Sequence, residues 1–105
     1  MFSIVMVTSP IGEGKKLARY CVEKRLAACA NIISNVASIY WWNGGIEEAN
    51  EDVVLFKTKT SIVKDLIASV KEIHSNDTPE IISIPIDSVD NDYATWIERE
   101  TSMRP

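Results

Sequence analysis

Apolar residues follow two periodicities along the chain, and together they predict seven elements. Short apolar, β-branched runs are typical of strands and occur in four segments: Phe2–Thr8, Cys29–Trp42, Ile46–Thr60 and Glu80–Asp87. Apolar residues at steps of three and four are typical of amphipathic helices and occur in three others: Ile11–Arg25, Ile62–His74 and a short segment after Asp90. The predicted order is therefore β-α-β-β-α-β followed by one helix.

Capping and turn residues set the predicted boundaries of these elements. Pro10 suits the first position of a helix, with Ser9 as its cap, and Ser61 and Asp90 are candidate caps for the other two helices. Asn43-Gly44-Gly45 predicts a hairpin turn between the second and third strands, because these residues tolerate positive φ.

The predicted order is that of the ferredoxin-like α+β fold, in which two right-handed βαβ crossovers form one antiparallel sheet. The first two helices cover one face of that sheet, and nothing in the sequence obviously covers the other. Pro85 lacks a backbone donor, so the fourth strand is predicted to lie near an edge or a bulge.

The stretch SIYWWNGGIEE, Ser38 to Glu48, raises the question of what covers the hairpin tip. Neighbouring strand residues point to opposite faces, so Trp41 cannot share a face with Tyr40 and Trp42. A dozen extended residues span ~40 Å, more than the very roughly 33 Å diameter of a compact domain of this length. The tip is therefore predicted to overhang and to contact another copy of the chain, because exposed apolar patches of this kind usually mark interfaces.

Composition and charge narrow the functional classes. The chain has 105 residues, which suggests a single domain over residues 1–105, and 46% of them are hydrophobic. A net charge of -4 argues against nucleic-acid binding. The two cysteines form no Cys-x-x-Cys pair, which fits a reducing compartment. The first apolar run ends at Thr8, too short for a signal peptide or a membrane span, so we predict a cytoplasmic protein without a membrane partner.

Candidate chemistry is sparse. His74 is the only histidine and could bind copper or zinc, or it could simply end its helix and pack on the apolar stripe. Glu47, Glu48, Glu51 and Asp52 could hold a divalent ion loosely, or they could form a solvated hairpin flank. No Gly-rich phosphate loop, Gly-x-Ser-x-Gly or metalloprotease motif is present, so no enzymatic activity is predicted.

Four segments of the sequence resemble the CutA family, also called divalent-ion tolerance proteins: VEKRLAACANI, SIYWWNGGIEE, LFKTKT and TPEIISIPI. The resemblance extends from Ile4 to Ile97 and implies a ferredoxin-like, PII-like homotrimer linked to tolerance of copper and other divalent cations. It further implies a ligand site in the clefts between subunits, formed by residues of the hairpin, of the segment after the second helix and of the last helix: Tyr40, Trp42, Glu51, Lys57, His74, Pro79, Glu80, Tyr93 and Trp96.

The sequence departs from the family at two positions that bear on metal binding. The usual His-Pro-Tyr after the second helix is His74-Ser75-Asn76, and Val7 stands where some members have a cysteine. The leading hypothesis is a divalent-metal response protein that binds copper or another divalent cation weakly, with His74 and Glu80 as metal ligands. The alternative is a PII-like regulatory scaffold whose cleft binds a small anionic metabolite or a partner protein, as Lys57 and the aromatic residues suggest.

Overall fold

A computed structural model of the protein describes residues 1–102 and contains one four-stranded antiparallel sheet. Its strands lie in the order β2-β3-β1-β4: β1 Phe2–Pro10, β2 Cys29–Trp42, β3 Gly45–Lys59 and β4 Ile81–Pro85. The helices are α1 Gly14–Glu23, α2 Val63–Ile73 and α3 Asn91–Ser102, with a 3-10 turn at Thr60–Ile62 before α2. The predicted element order and the ferredoxin-like α+β fold are confirmed.

The core lies between one face of the sheet and helices α1 and α2. Burial alternates along β1 and β3, so that Val5, Val7, Val54 and Phe56 are fully buried. They pack with apolar residues of the two helices, namely Leu17, Ala18, Cys21, Val63, Leu66 and Val70. Full burial of a side chain of this size stabilises the fold by about 1.5–3 kcal/mol relative to exposure.

The opposite face of the sheet is only partly covered within the chain. Helix α3 lies over one end of it, where Tyr93 meets Cys29 and Lys59 forms an ion pair with Glu98. Farther along this face Ile82 and Ile84 are each 44% exposed. The expectation that α1 and α2 leave this face open is therefore confirmed for most of its area.

The predicted start of the first helix is wrong. Residue Pro10 ends strand β1 opposite Glu51, and the Ser9 hydroxyl donates to the Pro10 carbonyl instead of capping a helix. The helix starts at Gly14 because the buried Asp52 carboxylate accepts the backbone N–H groups of Gly12 and Gly14, at 2.9 and 3.2 Å. A Cβ at Gly14 would lie 2.9 Å from the Asp52 Cβ, so only glycine fits.

Of the other boundary predictions, one is wrong and two are confirmed. Ser61 lies inside the 3-10 turn and does not cap α2, whose N-cap position is Ile62. Asp90 does cap α3, because its Oδ2 accepts the Tyr93 N–H at 3.1 Å. Pro85 ends β4, which is an edge strand of the sheet, as its missing donor predicted.

The β2–β3 hairpin gives the molecule its elongated shape. Asn43 and Gly44 form the predicted turn with φ values of 50° and 80°, the two positive φ angles of a type I′ hairpin. The molecule measures 44 × 28 × 21 Å along its principal axes. At the tip Trp41 is 72% exposed and Trp42 is 54% exposed, so the aromatic tip is not covered by its own chain.

Candidate functional site

A β-bulge in β2 decides which aromatic residues reach the candidate site. Ile33 pairs with Val53, but Val36 pairs with Glu51, so β2 has one extra residue at Ser34–Asn35. A shift of one residue moves every later side chain to the other face. The bulge therefore places Tyr40 and Trp42, rather than Trp41, on the same face as Glu51.

A pocket of about 570 Å³ lies between the hairpin and the loop that joins α2 to β4. We call it the hairpin pocket, and its lining residues come from β1, β2, β3 and that loop: Thr8, Tyr40, Trp42, Glu51, Ser75, Asn76, Asp77, Thr78 and Glu80. Four of the predicted site residues, Tyr40, Trp42, Glu51 and Glu80, therefore share one concave surface.

The charge of the hairpin pocket favours a positively charged ligand. Three carboxylates, Glu51, Asp77 and Glu80, line it, and no lysine or arginine of residues 1–102 does. The ion pairs within residues 1–102 involve other acidic side chains. Thr8, which also lines the pocket, is only 8% exposed. Carboxylates in a concave site concentrate a negative potential there.

The loop between α2 and β4, which forms one wall of the hairpin pocket, is held in place by His74 and Ser75. The buried His74 ring lies with Nε2 2.7 Å from the Thr8 carbonyl, and its Nδ1 accepts the Asn76 N–H at 3.0 Å. This pattern corresponds to the neutral tautomer with the proton on Nε2. Ser75 donates to Glu13 at 2.9 Å. Both ring nitrogens of His74 are thus engaged within the chain.

The remaining predicted residues lie elsewhere. Lys57 is six residues beyond Glu51 on β3, a separation of about 20 Å along the strand. It pairs with Cys29, whose Sγ lies 3.2 Å from the Tyr93 hydroxyl, and Tyr93 stacks on Trp96 with ring centroids 5.5 Å apart. Pro79 is half-buried in the loop before β4 and is not among the pocket-lining residues. Most of the predicted set therefore falls into two groups, one with Glu51 and one with Lys57, about 20 Å apart along β3.

The contact with Cys29 changes the acidity of Tyr93. Its hydrogen bond to the Cys29 thiol, then partial burial and the charge of Cys29, raise the pKa of Tyr93 to about 12. Burial also raises the pKa of the Cys21 thiol, in the core, to about 11. Both groups are neutral at physiological pH, so Tyr93 serves there as a hydrogen-bonding and stacking group.

Thr8, Ser75, Asn76 and Thr78 line the hairpin pocket but were not predicted from the sequence. The polar break after the second helix marked the loop, yet its residues carried no sign of which side chains face the hairpin. Thr8 ends the first apolar run, and only the pairing of β1 with its neighbours brings it to the pocket.

Comparison with known proteins gives the family. Residues 3–100 match the family model described as CutA1 divalent ion tolerance protein. The chain belongs to this family. It is 37% identical over 102 residues to the divalent-cation tolerance protein CutA of Thermus thermophilus, with 96% of this chain and 99% of that protein covered. It is 41% identical over 96 residues to the CutA homologue of Danio rerio, covering 90% of this chain.

The solved structures agree with this assignment. The periplasmic divalent cation tolerance protein CutA from Archaeoglobus fulgidus superimposes with a TM-score of 0.92 at 34% identity, covering 96% of this chain and 99% of that one. The chain spans 56% of the length of the chloroplastic rice CutA and 64% of that of the Danio rerio homologue. The CutA fold predicted from the sequence is thereby confirmed.

Neither a cluster of metal-binding side chains nor a membrane-spanning helix is present within residues 1–102. Within residues 1–102, no three histidine, cysteine, aspartate or glutamate side chains are grouped so that they could hold a metal ion. No helix in that range is long and apolar enough to cross a membrane. The carboxylates of the hairpin pocket are therefore spread along its wall instead of converging on one point.

Proposed function

We propose that the chain is a non-enzymatic divalent-cation tolerance protein. In this proposal it acts as a single-domain homotrimer in the cytoplasm and binds copper or another divalent cation weakly in its intersubunit clefts. The observation that carries the proposal is the acidic lining of the hairpin pocket, where the described part of the chain contributes Glu51, Asp77 and Glu80 and no basic residue. Carboxylate oxygens suit hard divalent cations, and copper binds most tightly among the common divalent first-row ions.

The separation of the two residue groups supports a site shared between subunits. Glu51 and Lys57 are about 20 Å apart along one strand, so they cannot contact the same small ligand within one chain. A cyclic trimer joins unlike surfaces of neighbouring copies. Such an arrangement would bring the hairpin pocket of one copy close to the Lys57, Tyr93 and Trp96 group of the next, and would supply the ligands that one chain lacks.

The proposed metal ligands differ in what binding costs them. Glu80 is exposed in the hairpin pocket and can rotate toward a cation. His74 would have to release either its contact with the Thr8 carbonyl or the Asn76 N–H that its Nδ1 accepts. That exchange subtracts from the affinity, because a buried group would lose its partner. We therefore expect weak binding, with Glu80 contributing more than His74.

A copper titration of the native protein beside matched variants tests the proposal. Glu80→Gln removes a charge from the pocket, His74→Gln removes the imidazole, and Glu48→Gln removes a charge from the hairpin outside the pocket. We expect saturable copper binding by calorimetry that Glu80→Gln weakens about tenfold, or ~1.4 kcal/mol, and that Glu48→Gln leaves unchanged. Zinc and nickel serve as control ions. Absence of saturable binding by all three ions, or an equal loss in the Glu80→Gln and Glu48→Gln variants, would refute the proposal.

The alternative is a PII-like scaffold that binds a small anionic metabolite or a partner protein. Lys57 supports it, because this half-buried lysine forms no ion pair within residues 1–102 and pairs with Cys29, whose thiol contacts Tyr93. A thermal-shift screen of anionic metabolites would identify such a ligand, and Lys57→Gln should abolish the shift. The acidic hairpin pocket opposes this alternative, so we place it second.

A further inference from the structure

One wall of the hairpin pocket is a short loop without regular structure. The segment from His74 to Glu80 joins α2 to β4 and supplies five of the nine pocket-lining residues, including the carboxylates of Asp77 and Glu80. The third carboxylate, Glu51, lies on β3. The separation of the acidic groups across the pocket therefore depends on how this loop is held against the rest of the chain.

The loop is anchored at both ends and at one point between them. At its ends, His74 contacts the Thr8 carbonyl, and Thr8 donates its N–H to the Glu80 carbonyl at 3.3 Å. Between them, the exposed Ser75 hydroxyl donates to Glu13 Oε2 at 2.9 Å. Among the described residues, this is the one hydrogen bond that joins residues 75–79 to another part of the chain. Segments with so few contacts open locally at a low free-energy cost, so the Ser75 contact matters for the loop.

The acceptor of this hydrogen bond, Glu13, lies in a turn that is itself fixed. The residues on either side of it, Gly12 and Gly14, both donate their N–H groups to the buried Asp52 carboxylate. The Glu13 N–H donates to the Pro10 carbonyl at 3.1 Å, and Glu13 occupies the N-cap position of α1. Its side chain therefore extends toward the loop from a backbone that is held on both sides.

These contacts connect the two walls of the hairpin pocket through one position of β3. Asp52 directly follows Glu51, and successive residues of a strand point to opposite faces. Glu51 thus lines the pocket, while Asp52 faces the helices and holds the turn that contains Glu13. Because Glu13 in turn holds Ser75, the loop wall is tied to the same strand position as the carboxylate that it faces.

We infer that Glu13 and Ser75 are positioning residues of the hairpin pocket. Their hydrogen bond holds the α2–β4 loop against the turn before α1, and so limits how far Asp77 and Glu80 can move from Glu51. Holding a binding loop in place raises affinity, because less conformational freedom is lost when the ligand binds. The effect on cation affinity rests on the proposed function, whereas the effect on the loop does not.

Amide hydrogen exchange of the full chain, measured by NMR, tests the effect on the loop. The reporters are the Asn76 and Thr8 amides, whose hydrogen bonds hold the two ends of the loop. Glu13→Ala removes the acceptor and Ser75→Ala removes the donor, and we expect each to speed the exchange of both amides about threefold. The double variant should be no faster than either single variant, because the same contact is lost in all three. Unchanged exchange in the alanine variants, or effects that add in the double variant, would overturn the inference.

Conservative variants separate the hydrogen bond from charge and from global stability. Glu13→Gln removes the charge but keeps an acceptor oxygen, and Ser75→Thr keeps the hydroxyl, so both should restore most of the slow exchange. The Val5 amide, in the buried part of β1, should keep its native rate in every variant, because the loop opens locally. An equal acceleration at Val5 and at Asn76 would mean that the variants lower the stability of the whole fold, and would count against a positioning role.

A copper titration of the same variants connects the loop to the proposed function. Glu13 is not among the pocket-lining residues, so a loss of affinity in Glu13→Ala that Glu13→Gln does not share must act through the loop. We expect that loss to be about threefold. Native copper affinity in Glu13→Ala, together with faster loop exchange, would overturn the positioning role. Absence of a saturable copper site in the native protein would refute the metal proposal, while faster exchange in the alanine variants would still support the loop contact.

Discussion

At the scale of single residues, a few polar contacts decide how the site is held. His74 illustrates this best, because its ring fixes the α2–β4 loop through Thr8 and Asn76. The resemblance to CutA pointed to this histidine as a ligand, whereas its hydrogen bonds give it a positioning role in the free chain. Its role with metal present stays a prediction.

The contact between Cys29 and Tyr93 gives a pH prediction. The pKa of Tyr93 is raised to about 12, chiefly by its hydrogen bond to the thiol. Because the folded value lies above the ordinary value of about 10 for tyrosine, the contact stabilises the fold fully below that ordinary value. This contribution is lost as the pH rises through the folded pKa. We expect a phenolate absorbance titration to show one tyrosine ionising near the upper value.

Substitutions at Cys29 test the cause of that shift. Cys29→Ala removes the hydrogen-bond partner and should return the late-ionising tyrosine toward its ordinary pKa. Cys29→Ser keeps a hydroxyl partner and should keep the pKa raised, while Tyr93→Phe should remove the late titration altogether. A titration curve that is the same in the Cys29→Ala variant and in the native protein would contradict the assignment.

At the scale of elements, the bulge in β2 determines the composition of the hairpin pocket. Without the extra residue at Ser34–Asn35, Trp41 would face Glu51, and Tyr40 and Trp42 would face away. Asn35 has φ of 61°, and its Oδ1 accepts the Asn50 side-chain amide at 2.6 Å. Asparagine tolerates the left-handed region better than most residues, so it suits this position.

Replacing Asn35 tests this account of the bulge. Asn35→Ala loses the hydrogen bond and keeps a Cβ in the left-handed region without the local hydrogen bonding that lets asparagine tolerate it, a conformation that costs roughly 1–2 kcal/mol for such residues. Asn35→Gly also loses the hydrogen bond, but without a Cβ it adopts this conformation freely. We therefore expect a larger drop in the guanidinium unfolding midpoint for alanine than for glycine, measured at one protein concentration. Equal midpoints in the two variants would mean that the backbone conformation at Asn35 contributes nothing.

Sequence periodicity predicted most of the elements. It did not predict the contacts that determine where the elements begin and end. The strands and the stripe of α2 were visible because burial alternates with period 2 or 3.6. The start of α1 was missed because it depends on Asp52, about 40 residues away along the chain. The hairpin pocket shows the same limit: the family resemblance supplied Tyr40, Trp42, Glu51 and Glu80, whereas Thr8 enters through strand pairing that no local pattern shows.

At the scale of the whole molecule, the hairpin extends beyond the core and exposes apolar residues on both faces. Tyr40 and Trp42 lie on the face of the hairpin pocket, while Ile39, Trp41 and Ile46 lie on the other and are 69%, 72% and 55% exposed. A tip that is apolar on both faces is costly in water at about 25 cal/mol per Å² of apolar surface. Contact with neighbouring copies would remove that cost and would also complete the cleft of the proposed trimer.

A charged substitution at Trp41 tests this assembly. Trp41→Glu places a carboxylate where the proposed interface requires an apolar side chain, and buried aromatic residues at interface centres typically contribute about 2 kcal/mol or more. We expect light scattering to give a mass near three chains of 11.7 kDa for the native protein, and near one chain for Trp41→Glu. Trp41→Phe keeps the apolar contact and should remain assembled.

Circular dichroism should show that Trp41→Glu still folds, because Trp41 makes no contact with the core cluster. An unchanged mass in Trp41→Glu would refute the role of the tip in assembly.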